Sequence, residues 1–207
     1  TSLHKEIKFE DYKTSISKDC FENILFKSII NQMTQKGNFI IHFDNNSENG
    51  EPDLYFRSEN TIFLIEFKDY LFPESVLKAK NFGAFRKYID ERFLISEGNK
   101  KKGVSQLANC IDNLLNKKYS FDSEINKKIS EGEHVNIYPI VCHTDFMFSM
   151  PGLNEYLNFL FNEQIRIRRK NYSGIHRVTL INLEVLFDLR LRGKGFADLL
   201  NFLPRYY

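Results

Sequence analysis

The most constraining stretch of this 207-residue chain is Pro52–Lys68, PDLYFRSENTIFLIEFK. Two apolar runs, Asp53 to Phe56 and Ile62 to Phe67, flank the polar residues Arg57-Ser58-Glu59-Asn60-Thr61. Short runs rich in aromatic and β-branched residues, bounded by polar turn formers, predict two strands joined in a hairpin. With Glu59-Asn60 as a two-residue tip, Ser58 faces Thr61, Phe56 faces Phe63 and Asp53 faces Glu66. Alternation then sorts the side chains. Leu54, Phe56, Phe63, Ile65 and Phe67 share one wholly apolar face, which must be core. Asp53, Glu66 and Lys68 share the other, with the two carboxylates about 5 Å apart at their Cβ atoms.

That trio admits two readings. The plain one is a solvated strand pair whose surface ion pair contributes little. The chemical one is a hard, oxygen-only site, because two converging carboxylates, a backbone carbonyl and several waters suit Mg²⁺. An ion so held polarises a phosphodiester, stabilises its developing charge and lowers the pKa of a bound water. Lys68 would orient that water, help deprotonate it or neutralise the pentavalent phosphate.

The rest of the chain supplies the frame. Cys20 to Met33 has helical spacing, with Asp19 as N-cap and Gly37 as a stop. Asn38 to Phe43 reads as a strand and Asn45 to Gly50 as a polar loop. Pro73 to about Ser96 is helical but poorly periodic and reads as an insertion of one or two short helices. Lys100-Lys101-Lys102-Gly103 leads into a helix from Val104 to Leu115. Val135 to Cys142 is a further strand, although Pro139 removes a ladder donor there. Leu153 to Gln164 is helix-like, and Arg177 to Ile181 is the last strand. Asn182 caps a helix running towards Arg192, and a final short helix spans Phe196 to Phe202. The prediction is an α/β fold with a mixed sheet: helix, three antiparallel strands, helix, strand, and flanking helices. With no internal repeat, one domain is expected over 1–207. Its core covers about 19–145, with a helical insertion at about 73–98 and C-terminal strand and helices at about 153–207.

Pro-Asp, a hairpin and then Glu-x-Lys resembles the signature of the PD-(D/E)xK nuclease superfamily, whose restriction-endonuclease-like core has this order of elements. The resemblance covers most of the chain. It implies a Mg²⁺-dependent deoxyribonuclease of the endonuclease kind, with Mn²⁺ able to substitute. In that reading Asp53, Glu66, the Phe67 carbonyl and an accessory Glu22 hold the metal, and Lys68 positions the attacking water. Glu22 matches a carboxylate many members carry on the helix before the first strand. Gln106 matches a Gln that several branches place on the helix after Glu-x-Lys. In those branches Tyr often follows four residues on, whereas Cys110 stands here. Each match has a simpler explanation: Glu22 as an exposed helix-start carboxylate favoured by the macrodipole, Gln106 as a helix former on a polar face. The resemblance implies DNA as substrate, with a homodimer or a larger restriction, repair or phage-defence assembly as the setting. The alternative is a nuclease-fold module that binds nucleic acid or a protein partner without cutting.

Composition narrows the partners. Lys plus Arg is 29 against 27 for Asp plus Glu, so any anionic partner must be met by a local patch. Two basic runs qualify: Lys100, Lys101 and Lys102 at a helix N-terminus, and Arg166, Arg168 and Arg169 after a helix. The first is read as a phosphate contact, the second as a charged helix end. No apolar run reaches the roughly 18 residues of a membrane span. Three widely spaced cysteines, Cys20, Cys110 and Cys142, form no CxxC and suggest a reducing, cytoplasmic setting. The chain opens Thr-Ser-Leu-His-Lys-Glu, without an apolar signal segment or an initiator Met, which fits a piece of a longer protein. The five histidines show no paired metal-ligand spacing, and no P-loop, GxGxxG or GxSxG is present.

Overall fold

The computed structural model describes residues 12–13, 15–35, 39–44, 50–94, 101–172, 174–195, 198–199 and 203, with the side chains of 167–171 left aside. Five strands form one sheet in chain order: β1 (Ile40–Phe43), β2 (Leu54–Ser58), β3 (Thr61–Lys68), β4 (Asn136–His143) and β5 (Thr179–Asn182). The first three pair antiparallel, and β4 and β5 join parallel to β3. The hairpin has the register set by its two-residue tip: Ser58 opposes Thr61, Phe56 opposes Phe63 and Leu54 opposes Ile65. Glu59 takes the left-handed conformation at the tip, with φ 53°.

Helices cover both faces of the sheet. Helix α1 begins as a π-wound stretch (Ile16–Phe26) and continues as an α-helix (Lys27–Met33). The others are α2 (Glu74–Lys78), α3 (Phe82–Phe93), α4 (Gly103–Leu115), α5 (Ser123–Ser130), α6 (Leu153–Asn171) and α7 (Leu183–Leu191), with a 3-10 turn at Phe146–Ser149. On one face Leu54, Phe56, Phe63, Ile65 and Phe67 pack with Phe26, Ile29, Ile30 and Met33 of α1 and with Leu183 and Leu186 of α7. On the other, Tyr55, Ile62 and Leu64 pack beneath Ile89 and Phe93 of α3, Leu107 and Ile111 of α4, and Leu157 and Phe161 of α6. Alternation along β3 therefore feeds two separate cores. The face carrying Glu66 is thus covered, and the plain expectation of a wet strand pair is corrected: α4 and α6 roof it.

Local sequence explains most boundaries. Asn182 caps α7, its side chain accepting from the Glu184 N–H at 2.9 Å. Apolar residues at 104, 107, 108, 111 and 114 give α4 a continuous buried stripe. Gly103 starts that helix at φ +47°, where a Cβ would meet the Phe93 backbone and ring at 3.0 Å, so the α3–α4 junction requires glycine. Pro139 is tolerated in a central strand for a specific reason. The Asn136 N–H donates to Asn60 on the β3 side, and the Ile137 N–H donates to Gly174 on the other. Position 139 therefore faces the β5 side, in the gap between the Ile137–Ile175 bridge and the first β5 pair, Ile140–Thr179.

Three expectations change. Asp19 is not an N-cap but lies inside the π-wound stretch, where its carboxylate accepts from the Ser15 hydroxyl at 2.8 Å. Helix α5 was not foreseen, and α6 runs on to Asn171. The expected final helix, Phe196–Phe202, falls mostly outside the described residues, as does the 45–49 loop. Among the described residues, no helix is long and apolar enough to cross a membrane.

Candidate active site

The site forms at the end of β3, where the hairpin, α4 and α1 meet. Asp53 lies one residue before β2, so its carboxylate takes the place of a ladder partner: Oδ2 accepts the Phe67 N–H at 2.7 Å. In an extended strand the N–H and C=O of one residue point the same way, so the Phe67 carbonyl projects to the side on which Asp53 lies. The loop entering Asp53 is fixed from α4 and the segment after it. The Gly50 carbonyl accepts from Asn113 Nδ2 at 2.9 Å and the Tyr119 hydroxyl at 3.2 Å. A Cβ on Gly50, whose φ is +64°, would stand 2.8 Å and 2.9 Å from the amide nitrogens of Asn109 and Asn113. A side chain there would be strained by the left-handed backbone and would displace the Asn113 amide that holds the Gly50 carbonyl.

Glu66 is fully buried, while Lys68 and Asp53 keep 12% and 22% of their side chains exposed. Lys68 Nζ stands 2.9 Å from Glu66 Oε2 and 3.7 Å from Asp53 Oδ2. It also donates a long 3.4 Å bond to Gln106 Oε1. Gln106 and Cys110 are one helical turn apart on α4 and share the face above β3. The Cys110 thiol reaches Glu66 Oε1 at 4.0 Å. Asp53, Glu66, Lys68 and Gln106 are thus gathered into one cluster.

Burial, then the Asp53 charge, pushes the Glu66 carboxyl well above the usual carboxylate range, and Lys68 only partly opposes them. Burial pulls the Lys68 ammonium down, but Glu66 first and Asp53 second outweigh it, so its pKa is held high. Glu22 is raised by partial burial and then by Asp53, and it also senses Lys68. It therefore lies within electrostatic reach of the cluster, approaching from α1 on the opposite face of the sheet. π-wound segments are rare and concentrate at functional sites.

Two carboxylates share one ammonium, which leaves the pocket short of positive charge. The oxygen donors of Asp53, Glu66 and the Phe67 carbonyl are the kind that hold Mg²⁺ or Mn²⁺, with waters completing the shell. Among the described residues, no three His, Cys, Asp or Glu side chains form a group able to hold a metal ion. Glu22, on the helix across the sheet, is linked to this donor set through the charges of Asp53 and Lys68.

The basic runs fare differently. Lys100 and the side chains of Arg168 and Arg169 lie outside the described residues. Lys101 is exposed and donates to Asn109 of α4 at 3.1 Å, and Lys102 is half-buried at the start of that helix. Arg166 sits far along α6, which runs antiparallel to β5: Asn154 and Asn158 bond Leu180 and Val178, and Tyr172 bonds Val135. That places Arg166 towards the start of β4, whereas Lys68 pairs with His143 at its end, roughly 23 Å along the strand. His143 is buried and neutral, its pKa pushed down to about 4 by burial. Sequence reasoning missed Tyr70, a half-buried phenol near Lys68; its position two residues beyond Lys68 was the available signal.

No protein-family model matches the chain, and no curated protein matches it in sequence. Among solved structures it is similar to the small subunit (R.BspD6I2) of the heterodimeric restriction endonuclease R.BspD6I. The TM-score is 0.45 and the identity 12%, over 95% of this chain and 83% of that one.

Proposed function

We propose that this chain is a metal-dependent nuclease that hydrolyses DNA phosphodiester bonds as an endonuclease. The observation that carries the reading is the convergence of Asp53, Glu66 and Lys68, with Glu66 fully buried and Lys68 Nζ within 4 Å of both carboxylates. A buried carboxylate beside a second one is costly in a purely structural role, and such pairs concentrate at functional sites. The choice of DNA, and of a restriction, repair or defence assembly as setting, rests on the resemblance in sequence.

Asp53, Glu66 and the Phe67 carbonyl would hold the ion. When bound, a divalent cation supplies Lewis-acid polarisation of the phosphodiester and a lowered pKa for water. Lys68, held as an ammonium, orients the attacking water and offsets charge on the phosphate. Gln106 steadies Lys68 through its side-chain oxygen. The roof of α4 excludes bulk water from Glu66, which strengthens each of these interactions.

The test is cleavage of supercoiled, linear and single-stranded DNA in Mg²⁺, Mn²⁺ or EDTA, beside thermal melting in the same buffers. Cutting is expected in either metal and absent in EDTA. Ion at about 100 times its dissociation constant should stabilise the fold by about 2.7 kcal/mol, raising the melting temperature by several degrees. That shift should vanish in Asp53→Ala. No cutting together with no metal-dependent shift would remove the reading.

A further inference from the structure

The helical insertion brings a cation to the edge of this site. Arg92 lies in the last turn of α3, its guanidinium carbon 5.2 Å from the centroid of the Tyr70 ring and 5.3 Å from that of Tyr88. Both rings are held in turn. Tyr70 packs edge-on against Phe93, and the buried Tyr88 donates its hydroxyl to the Leu71 carbonyl at 2.7 Å. The acids beside Arg92 on α3 face other cations: Asp90 pairs with Arg86 at 3.7 Å and Glu91 with Lys87 at 3.8 Å. Among the described residues, no carboxylate pairs with Arg92, which is half-buried. A guanidinium oriented by two aromatic rings, with no acid partner among the described residues, is suited to an anion from outside the chain.

Its place fits that role. Tyr70 follows Lys68 by two residues, and its phenol senses the charges of Lys68, Arg92, Glu66 and Asp53, in that order. The Lys102 N–H donates to the Leu94 carbonyl at 2.7 Å, which draws the end of α3 against the start of α4, the helix that carries Gln106 to Lys68. Tyr70 therefore touches Arg92 and lies two residues along the chain from Lys68 of the acidic cluster. Arg92 contacts Tyr70 and Tyr88, whereas Lys68 contacts Asp53 and Glu66, so the guanidinium is positioned for a different phosphate of the same strand from the one seated at that cluster.

We propose that Arg92 is a substrate-binding residue of this site, gripping through its guanidinium fork a phosphodiester that neighbours the one being cut. The proposal rests on the nuclease reading. It gives the insertion a role: α3 carries the grip for the flanking backbone, and Tyr70 sets its distance from the reacting phosphate. Arginine serves better than lysine here because its planar fork stacks on rings and bonds phosphate oxygens in pairs.

The test is binding of a fluorescent DNA duplex to the full chain in Mg²⁺, measured across a salt series in a Lys68→Ala background that leaves the DNA intact. Arg92→Ala and Arg92→Gln should each weaken binding about tenfold and reduce the slope of log affinity against log salt by about one. Arg92→Lys should keep the slope but bind about threefold more weakly, since it retains charge and loses the fork. Unchanged affinity and slope in folded Arg92→Ala and Arg92→Gln would overturn the inference, as would an Arg92→Lys chain indistinguishable from the parent. If the wild-type chain cuts DNA while those slopes are unchanged, the nuclease reading survives alone. A wild-type chain that neither binds nor cuts removes both.

Discussion

Lys68→Ala is expected to lower metal-dependent DNA cleavage by about 10³-fold or more, while far-ultraviolet circular dichroism stays that of the parent. Two losses combine. The ammonium that orients water and offsets phosphate charge is gone. So is the cation that partly opposes the upward push on the Glu66 carboxyl, 2.9 Å from Glu66 and 3.7 Å from Asp53. A buried charge left without its partner either destabilises the fold or takes up a proton. Glu66, already held above the usual carboxylate range by burial, then by Asp53, has the second route open, so the chain should fold with a neutral Glu66. A neutral carboxyl is a poor metal ligand, which makes the kinetic loss larger than the removal of one hydrogen bond. Asp53→Ala should be as inactive, through loss of a ligand rather than of a counter-charge. Plasmid cleavage by purified, folded samples of both variants decides the matter, and retained cutting in both would sink the assignment.

The largest effect on stability is expected far from the site. Asp122→Ala should lower the melting temperature by about 10 °C or more, corresponding to about 3–5 kcal/mol in a domain of this size. Asp122 is fully buried and accepts four bonds: from Arg57 Nε at 2.6 Å and Nη2 at 3.1 Å, from the Tyr55 hydroxyl at 2.7 Å and from the Ile125 N–H at 3.1 Å. Arg57 is itself only 4% exposed, and its remaining contacts are the Glu59 carbonyl and Glu124. Truncating Asp122 leaves a guanidinium buried without its main counter-ion and uncaps α5 in the same stroke. Glu124→Ala, at an exposed carboxylate bonded to the same guanidinium, should change far less because water replaces what is lost. Melting curves of the two variants side by side test the argument. Equal, small shifts would show that the buried pair contributes no more than a surface one.

What the sequence disclosed, and what it hid, follows from the range of the interactions involved. The hairpin register needed only a two-residue tip and strict alternation, both local, and the paired residues stand where that arithmetic puts them. Helix α4 was legible because its apolar stripe is continuous, and α7 because Asn182 is a strong cap. Helix α5 was not legible: eight residues with one buried side chain give too little periodicity. Its anchor, Asp122, meets Arg57 across 65 residues of chain, a pairing that no local pattern encodes. The candidate site divides in the same way. The shared face of Asp53, Glu66 and Lys68 could be read from alternation, whereas the burial of Glu66 depends on what lies over that face. Cys110, the residue that meets Glu66 from above, is 44 positions further along the chain. The guanidinium of Arg92 was invisible because its partners are ring faces rather than charges.

The taper of the sheet has a consequence for the chain's life in a crowded solution. Its strands hold four, five, eight, eight and four residues from one edge to the other. The segment best suited to stacking against copies of itself, TIFLIEF, contains no Pro or Gly and is rich in β-forming side chains. It lies in the middle strand, with both flanks hydrogen-bonded and helices over both faces. The strands left at the rims, β1 and β5, are too short to template much growth. A protein with 20 phenylalanines thus keeps its most adhesive segment innermost, and among the described residues its sheet offers neighbours only its two shortest strands.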